Sequence, residues 1–209
     1  MTTTAKYFLK QGVKYMQVNE FLAHKLARAG YVGMEMYRTP IGTRIVIYAE
    51  RPAMVIGKRG RTIKALTEIL QQKFGLENPQ IDVLEVQDAQ LNAKVVAYHI
   101  ARALRRGVKF RRAAFIALRR IMEAGALGAE IVISGKLTSE RARFEKFTMG
   151  TILKSGEPGE VLVDEAVAHV LLKPGMYGIK VKIMKPAEIP GRIKIKRKEE
   201  GSEVGAIKS

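Results

Sequence analysis

Val55-Ile56-Gly57-Lys58-Arg59-Gly60 is the stretch on which the reading of this chain turns. Two glycines three residues apart let the backbone turn tightly and approach another backbone closely. The residues that follow predict a helix, because Ile63, Leu66, Leu70 and Phe74 recur at three- and four-residue spacing and form one core-facing stripe. A helix opening directly after the loop aims its unpaired N–H groups, and the positive end of its dipole, at the loop. Lys58 and Arg59 place two cations at the tip, and Arg61 and Lys64 add two more in the first turns of the helix. The combination suits a sugar–phosphate chain.

The flanking pattern decides between that reading and a plain helix-connecting turn. Before the loop, Pro52-Ala53-Met54-Val55-Ile56 is a short apolar turn. Tyr31–Arg38 and Thr43–Glu50 read as strands joined by Pro40-Ile41-Gly42, the second carrying the β-branched and aromatic run Ile45-Val46-Ile47-Tyr48. Asn19 is placed to cap a helix bearing Phe21, Leu22, Leu26 and Ala29, with Gly30 as its stop. Residues 1–16 read as a short basic arm. After the loop helix, Gly75 and Pro79 end the element and Ile81–Val86 reads as a third strand. The order is helix, strand, strand, short helix, Gly loop, helix, strand, and in that setting the loop suits nucleic acid in the way the KH domain uses a G-x-x-G loop to clamp a single strand. The loop is not a P-loop, since it lacks the longer glycine spacing and the Lys-Ser/Thr ending.

Beyond Asp88 the character changes. Residues 90–124 predict helix, divided near Gly107, and no carboxylate occurs between Asp88 and Glu123. Arg102, Arg105, Arg106, Lys109, Arg111, Arg112, Arg119 and Arg120 crowd this stretch. An unpaired buried charge costs several kcal/mol, so these arginines belong on the surface. There they face a polyanion or simply water. Glu130–Ser134, Val161–Val163, Val167–Leu172 and Gly178–Ile183 predict strands, while Thr138–Met149 fits a short helix or an irregular excursion. From Pro190 the chain is basic and poor in apolar residues, the composition of a segment that stays disordered until bound.

The whole chain of 209 residues carries a formal net charge of +17 and no cysteine. Such a charge attracts polyanions, nucleic acid first and an anionic membrane surface second. No apolar run approaches the ~20 residues of a spanning helix, so no membrane partner is expected. The missing cysteines exclude disulfides, thiolate metal sites and cysteine nucleophiles. His24, His99 and His169 have no metal-ligand spacing and read as surface residues of helices or strands. Asp164 and Glu165 are adjacent in a strand-like stretch and point to opposite faces, which prevents paired acid–base work. Ser134 and Ser139 have no visible base. Met54, Met122, Met149 and Met184 read as core or edge packing. No cofactor, metal or catalytic residue is expected.

Five stretches in order resemble one family, that of the universal small-subunit ribosomal protein numbered three in its series. They are Arg51–Gly60, Ala93–Ala97, Arg105–Ala113, Gly128–Leu137 and Gly175–Ile183. The resemblance spans residues 17–184, and the stretch Lys154–Glu160 with the short tail looks more archaeal than bacterial. It implies an α+β protein: a type II KH domain at 17–87, a three-stranded sheet with packed helices; a second two-layer α/β sandwich domain at 88–188; and a basic tail at 189–209. It implies a structural, non-enzymatic place in the head of the small subunit of the cytoplasmic ribosome. The partners would be ribosomal RNA, neighbouring head proteins and messenger RNA (mRNA) at the channel where it enters. The RNA-binding set is then Gly57, Lys58, Arg59, Gly60, Arg61, Lys64, Arg105, Arg106, Lys109, Arg111, Arg112, Arg119 and Arg120. Arg111 and Arg112 match the family's channel-lining basic residues, and Phe115 stands where bacterial members have a further basic one. Two other readings compete: a nucleic-acid repair lyase, which needs a lysine of depressed pKa, and a free KH-type RNA regulator.

Overall fold

In the computed structural model, which describes residues 4–187, the chain opens on a helix, α1 (Thr4–Lys25). This corrects the arm expected over residues 1–16. Ala5, Lys6, Leu9, Lys10, Gln11 and Lys14 are good helix formers, but their turns lie outside the core, with Phe8 65% and Leu9 69% exposed, so no packing stripe announces them. Asn19 is a mid-helix residue and not a cap; its Oδ1 accepts the Tyr31 hydroxyl at 2.6 Å. A single 3-10 turn, Ala27–Ala29, follows, and left-handed Gly30 stops it.

Strands β1 (Tyr31–Thr39) and β2 (Gly42–Ala49) pair antiparallel. The short helix α2 (Pro52–Ile56) and the loop lead to α3 (Arg61–Phe74) and then β3 (Gln80–Glu85). β3 returns parallel to β2, giving the order β1-β2-β3. Ile45 and Ile47 on one face of β2 bury against Leu22 of α1, Val55 of α2, and Leu66 and Leu70 of α3. Each such side chain contributes about 1.5–3 kcal/mol when fully buried.

The second half begins with α4 (Ala93–Arg105), capped by Asn92, whose side chain accepts the Lys94 and Val95 N–H groups. Gly107 separates it from α5 (Phe110–Glu123). Four antiparallel strands follow: β4 (Gly128–Gly135), β5 (Arg143–Gly150), β6 (Val163–Leu172) and β7 (Gly175–Met184), in the order β5-β4-β7-β6. Both helices cover one sheet face, where Ile100, Leu118 and Ile121 meet Ile131, Ile133, Ile179 and Ile183.

Three sequence expectations need correction here. The stretch from Thr138 holds a full strand, β5, whose residues Arg143-Phe144-Glu145-Lys146 lack the β-branched signal of a central strand. Val161 ends a helical turn, α6 (Glu157–Val161), started by Pro158, and β6 begins only at Val163. Met54 and Met149 are exposed, whereas Met184 is fully buried. The basic tail at 189–209 lies outside the described residues. Among the described residues no helix is long and apolar enough to cross a membrane.

The open face of the second sheet carries a charge lattice. Glu130, only 6% exposed, lies 2.7 Å from Lys154 Nζ and 3.1 Å from Lys146 Nζ. Burial pushes its carboxyl up, but the Lys154 and Lys146 ammonium groups outweigh burial and hold it below the usual carboxylate range. Asp164 and Glu165 do point apart. Asp164 accepts the Ala93 N–H at 3.0 Å, and Glu165 pairs with Lys180 and Lys182.

Among the described residues three polar ties join the two halves. His99 Nε2 lies 2.8 Å from Glu50 Oε2, so this histidine is a half-buried bridge and not the surface residue expected. Arg102 donates to the Arg28 carbonyl at 3.0 Å, and Lys94 Nζ to the Val32 carbonyl at 2.8 Å.

Candidate nucleic-acid interface

The loop between α2 and α3 is built by its backbone. Gly57 has φ 74° and ψ 177°, a region open essentially to glycine alone. A Cβ at Gly57 would stand 2.0 Å from Thr62 Oγ1. Arg59 is left-handed at φ 53°, ψ 30°, and Gly60 follows at φ 72°, ψ 12°. A non-glycine residue at positive φ is uncommon, and here it turns the Arg59 side chain out at the tip. Lys58, Arg59, Arg61 and Lys64 are all exposed. Among the described residues none of the four forms an ion pair, and no side chain caps α3. The site therefore presents four uncompensated cations around a backbone turn of fixed shape.

The second predicted group is built by side chains. Arg105, Arg106, Lys109, Arg111, Arg112, Arg119 and Arg120 are exposed, as their charge requires. Arg112, Phe115 and Arg119 fall at i, i+3 and i+7 on α5 and share one stripe. Phe115, 55% exposed, stands edge-on to Phe147 of β5 with ring centroids 5.4 Å apart. Arg111 differs from its neighbours. Its Nε and Nη2 donate to the two Glu145 oxygens at 3.0 and 2.8 Å. This bidentate bond raises the Arg111 pKa and holds the Glu145 carboxyl below its usual range. Of the seven cations, Arg111 alone is matched by a carboxylate among the described residues.

The structure does not merge the loop and α5 into one site: no hydrogen bond or ion pair joins them among the described residues. Arg105 and Arg106 take an intermediate place. They line a cleft of about 880 Å³ between the two halves, together with Lys25, Arg28, Arg51 and Arg102. Sequence reading missed this cleft, because its walls come from residues some 75 positions apart that no local periodicity connects. The available signal was the carboxylate-free run that holds Arg102, Arg105 and Arg106.

Lys94 is the described lysine whose ammonium burial pushes below its usual pKa. Its Nζ donates to the Val32 carbonyl and sits 4.8 Å from the centre of the Tyr31 ring. It is held as a tie between the halves and does not line the cleft, a poor position for attack on a sugar. Among the described residues no three of His, Asp and Glu gather as metal ligands.

Comparison with known proteins adds the family. The profile of the KH domain matches residues 17–91, and that of the ribosomal protein S3 C-terminal domain matches residues 100–183. The small ribosomal subunit protein uS3 of Thermofilum pendens is 62% identical over 94% of this chain and 97% of its own length. That of Saccharolobus solfataricus is 51% identical over 94% of this chain and 86% of its own, and that of Sulfolobus acidocaldarius 48% identical over 99% and 90%.

Proposed function

Because the chain belongs to the uS3 family of small ribosomal subunit proteins, we propose that it works as a non-enzymatic constituent of that subunit, in the cytoplasmic ribosome, holding ribosomal RNA. The observation that carries the reading is the loop at Gly57–Gly60. Its backbone is locked in a glycine-only shape, and among the described residues its four cations lack carboxylate partners. A turn that merely connected two helices needs neither feature. Phosphate oxygens would meet the exposed backbone and the Lys58, Arg59, Arg61 and Lys64 side chains, with the bases left to the groove beside them.

The finer assignment concerns the second half, residues 88–188. Arg105, Arg106, Lys109, Arg112, Arg119 and Arg120 form its RNA-facing surface, in the head of the subunit among neighbouring head proteins. The stripe Arg112–Phe115–Arg119 faces mRNA at its entrance channel. An aromatic between two arginines gives a base a face to stack on while the guanidiniums hold phosphates. Arg111, already satisfied by Glu145, serves that channel less than Arg112 does.

Sedimentation of native cell lysate tests the whole reading. The protein should travel with small subunits and full ribosomes and stay there at moderate salt; recovery mainly as free protein would overturn it. Translation of messages carrying stable hairpins tests the channel. Arg112→Ala with Arg119→Ala should slow those messages selectively, and equal rates on structured and unstructured messages would remove the mRNA assignment.

A further inference from the structure

The cleft between the two halves has walls of unlike origin and one sign of charge. Lys25 and Arg28 come from the end of α1 and the turn after it, and Arg51 from the residue before α2. Arg102, Arg105 and Arg106 come from the end of α4. Among the described residues no Asp or Glu lines it. His24, His169, Tyr98 and Met54 also line it, the last two adding apolar surface. Six cations from two separately packed units repel one another, so holding them around an open cleft costs free energy unless an anion fills it. The walls are nevertheless fixed: Arg102 donates across to the Arg28 carbonyl, and His99 binds Glu50 behind them. Among the described residues Arg51 alone of the six has a carboxylate in reach, Glu50 at 3.3 Å.

We propose that this cleft is a second grip on RNA, taking the phosphodiester backbone of a strand between the two halves. The proposal rests on the RNA-binding reading above and adds to it Lys25, Arg28, Arg51 and Arg102. Three features favour RNA over an acidic protein segment. Five of the six cations are arginines, whose planar forks hold phosphate bidentately. Tyr98 and exposed Met54 offer ribose and base an apolar seat. The cleft also adjoins the loop: Arg51 and Met54 lie at the start of α2 and Gly57 at its end, and five residues of helix rise only about 7–8 Å. A strand clamped at Gly57–Gly60 therefore has only the short apolar helix α2 to cross before it reaches the cleft.

Fluorescence anisotropy of the full chain with a labelled oligouridine of ~20 nucleotides, between about 50 and about 200 mM salt, reads each grip separately. Each lost phosphate contact on single-stranded nucleic acid lowers the slope of log affinity against log salt by about 0.7. Lys25→Glu with Arg28→Glu should flatten the slope by about 1.4, and the loop variant Lys58→Asp with Arg59→Asp should do so independently. A wild-type slope in the cleft variant beside a flattened one in the loop variant overturns the cleft and leaves the ribosomal reading standing. A flattened slope in the cleft variant alone supports the cleft and removes the loop from the site. Unchanged slopes in both overturn both. An unchanged RNA slope with lost binding to polyglutamate would give the cleft to an acidic protein segment and likewise overturn the proposal. If the charge reversal unfolds the chain, Lys25→Ala with Arg28→Ala removes the same two contacts. Photocrosslinking of wild type to 4-thiouridine-containing RNA supplies an independent readout: adducts on the peptides bearing Met54 or Tyr98 are expected, and adducts confined to α3 would overturn the cleft.

Discussion

The loop at Gly57–Gly60 and the face of α5 present similar charge by opposite means. In the loop the backbone is the device: Gly57 sits where only glycine fits, Arg59 is left-handed, and the cations decorate a shape that exists without them. On α5 the backbone is an ordinary helix, buried through Ala113, Ala114, Leu118 and Ile121, and the device is the set of side chains on its other face. The difference teaches where each region is fragile. A backbone-built site fails when a single atom is added. A side-chain-built site loses its function one charge at a time while the fold stays intact.

Adding one methyl group gives the sharpest break. Gly57→Ala puts Cβ against Thr62 Oγ1 at a φ,ψ that other residues avoid, so it should cost about 2–3 kcal/mol. RNA affinity should fall with it. Urea unfolding of the variant checks the first effect, and an unshifted midpoint would mean that the loop relaxes freely and that its shape is not built by the backbone.

Next in size is removal of an internal charge. Glu130→Gln should cost about 2 kcal/mol at neutral pH, because the carboxylate is ion-paired with two lysines. Its folded pKa is depressed, so its contribution is present above the ordinary value of 4.5 and disappears as pH falls through the lower folded value. Thermal melts should show the wild type and variant converging from about pH 4.5 downward. A constant gap across that range would refute the ion-pair account.

The smallest effects belong to α5. Arg119→Ala and Arg120→Ala should each move stability by less than about 0.5 kcal/mol, while lowering the salt slope of binding by about 0.7 apiece on single-stranded RNA. Arg111→Ala should lower that slope less than Arg112→Ala, since Glu145 already holds its guanidinium. Equal slopes for the two would show that Glu145 releases Arg111 to RNA and would erase the distinction drawn between them.

The same contrast explains what could be read in advance. The loop and its surroundings were readable because their signals are local. The β-branched run of β2, the stripe from Ile63 to Phe74 and the two glycines each announce themselves within a few residues. The arginines of α4 and α5 were readable from charge alone. Three elements escaped for physical reasons. The first turns of α1 pack little, so they show no buried stripe. β5 is an edge strand of charged and aromatic residues with one face in water, and its composition does not separate it from a loop. Pro158 and Gly159 hid the point where helix gives way to β6. The His99–Glu50 bridge and the cationic cleft join residues 49 to 74 positions apart, and only the folded chain brings them together.

The parallel pairing of β2 with β3 carries a consequence for how the loop comes into being. Parallel neighbours cannot be joined by a tight hairpin, so the chain from Glu50 to Pro79 must close as one long crossover before the two strands meet. The loop lies inside that crossover, nearer its start than its end. Its closure entropy is lost before the strand pairing compensates it, which makes this pairing one of the slower contacts to form. By mass action, a ligand that holds only the closed loop then stabilises the entire crossover and the sheet it completes. On the RNA-binding reading proposed for the loop, a strand held at four residues would thereby act as a folding partner for the first half of the molecule.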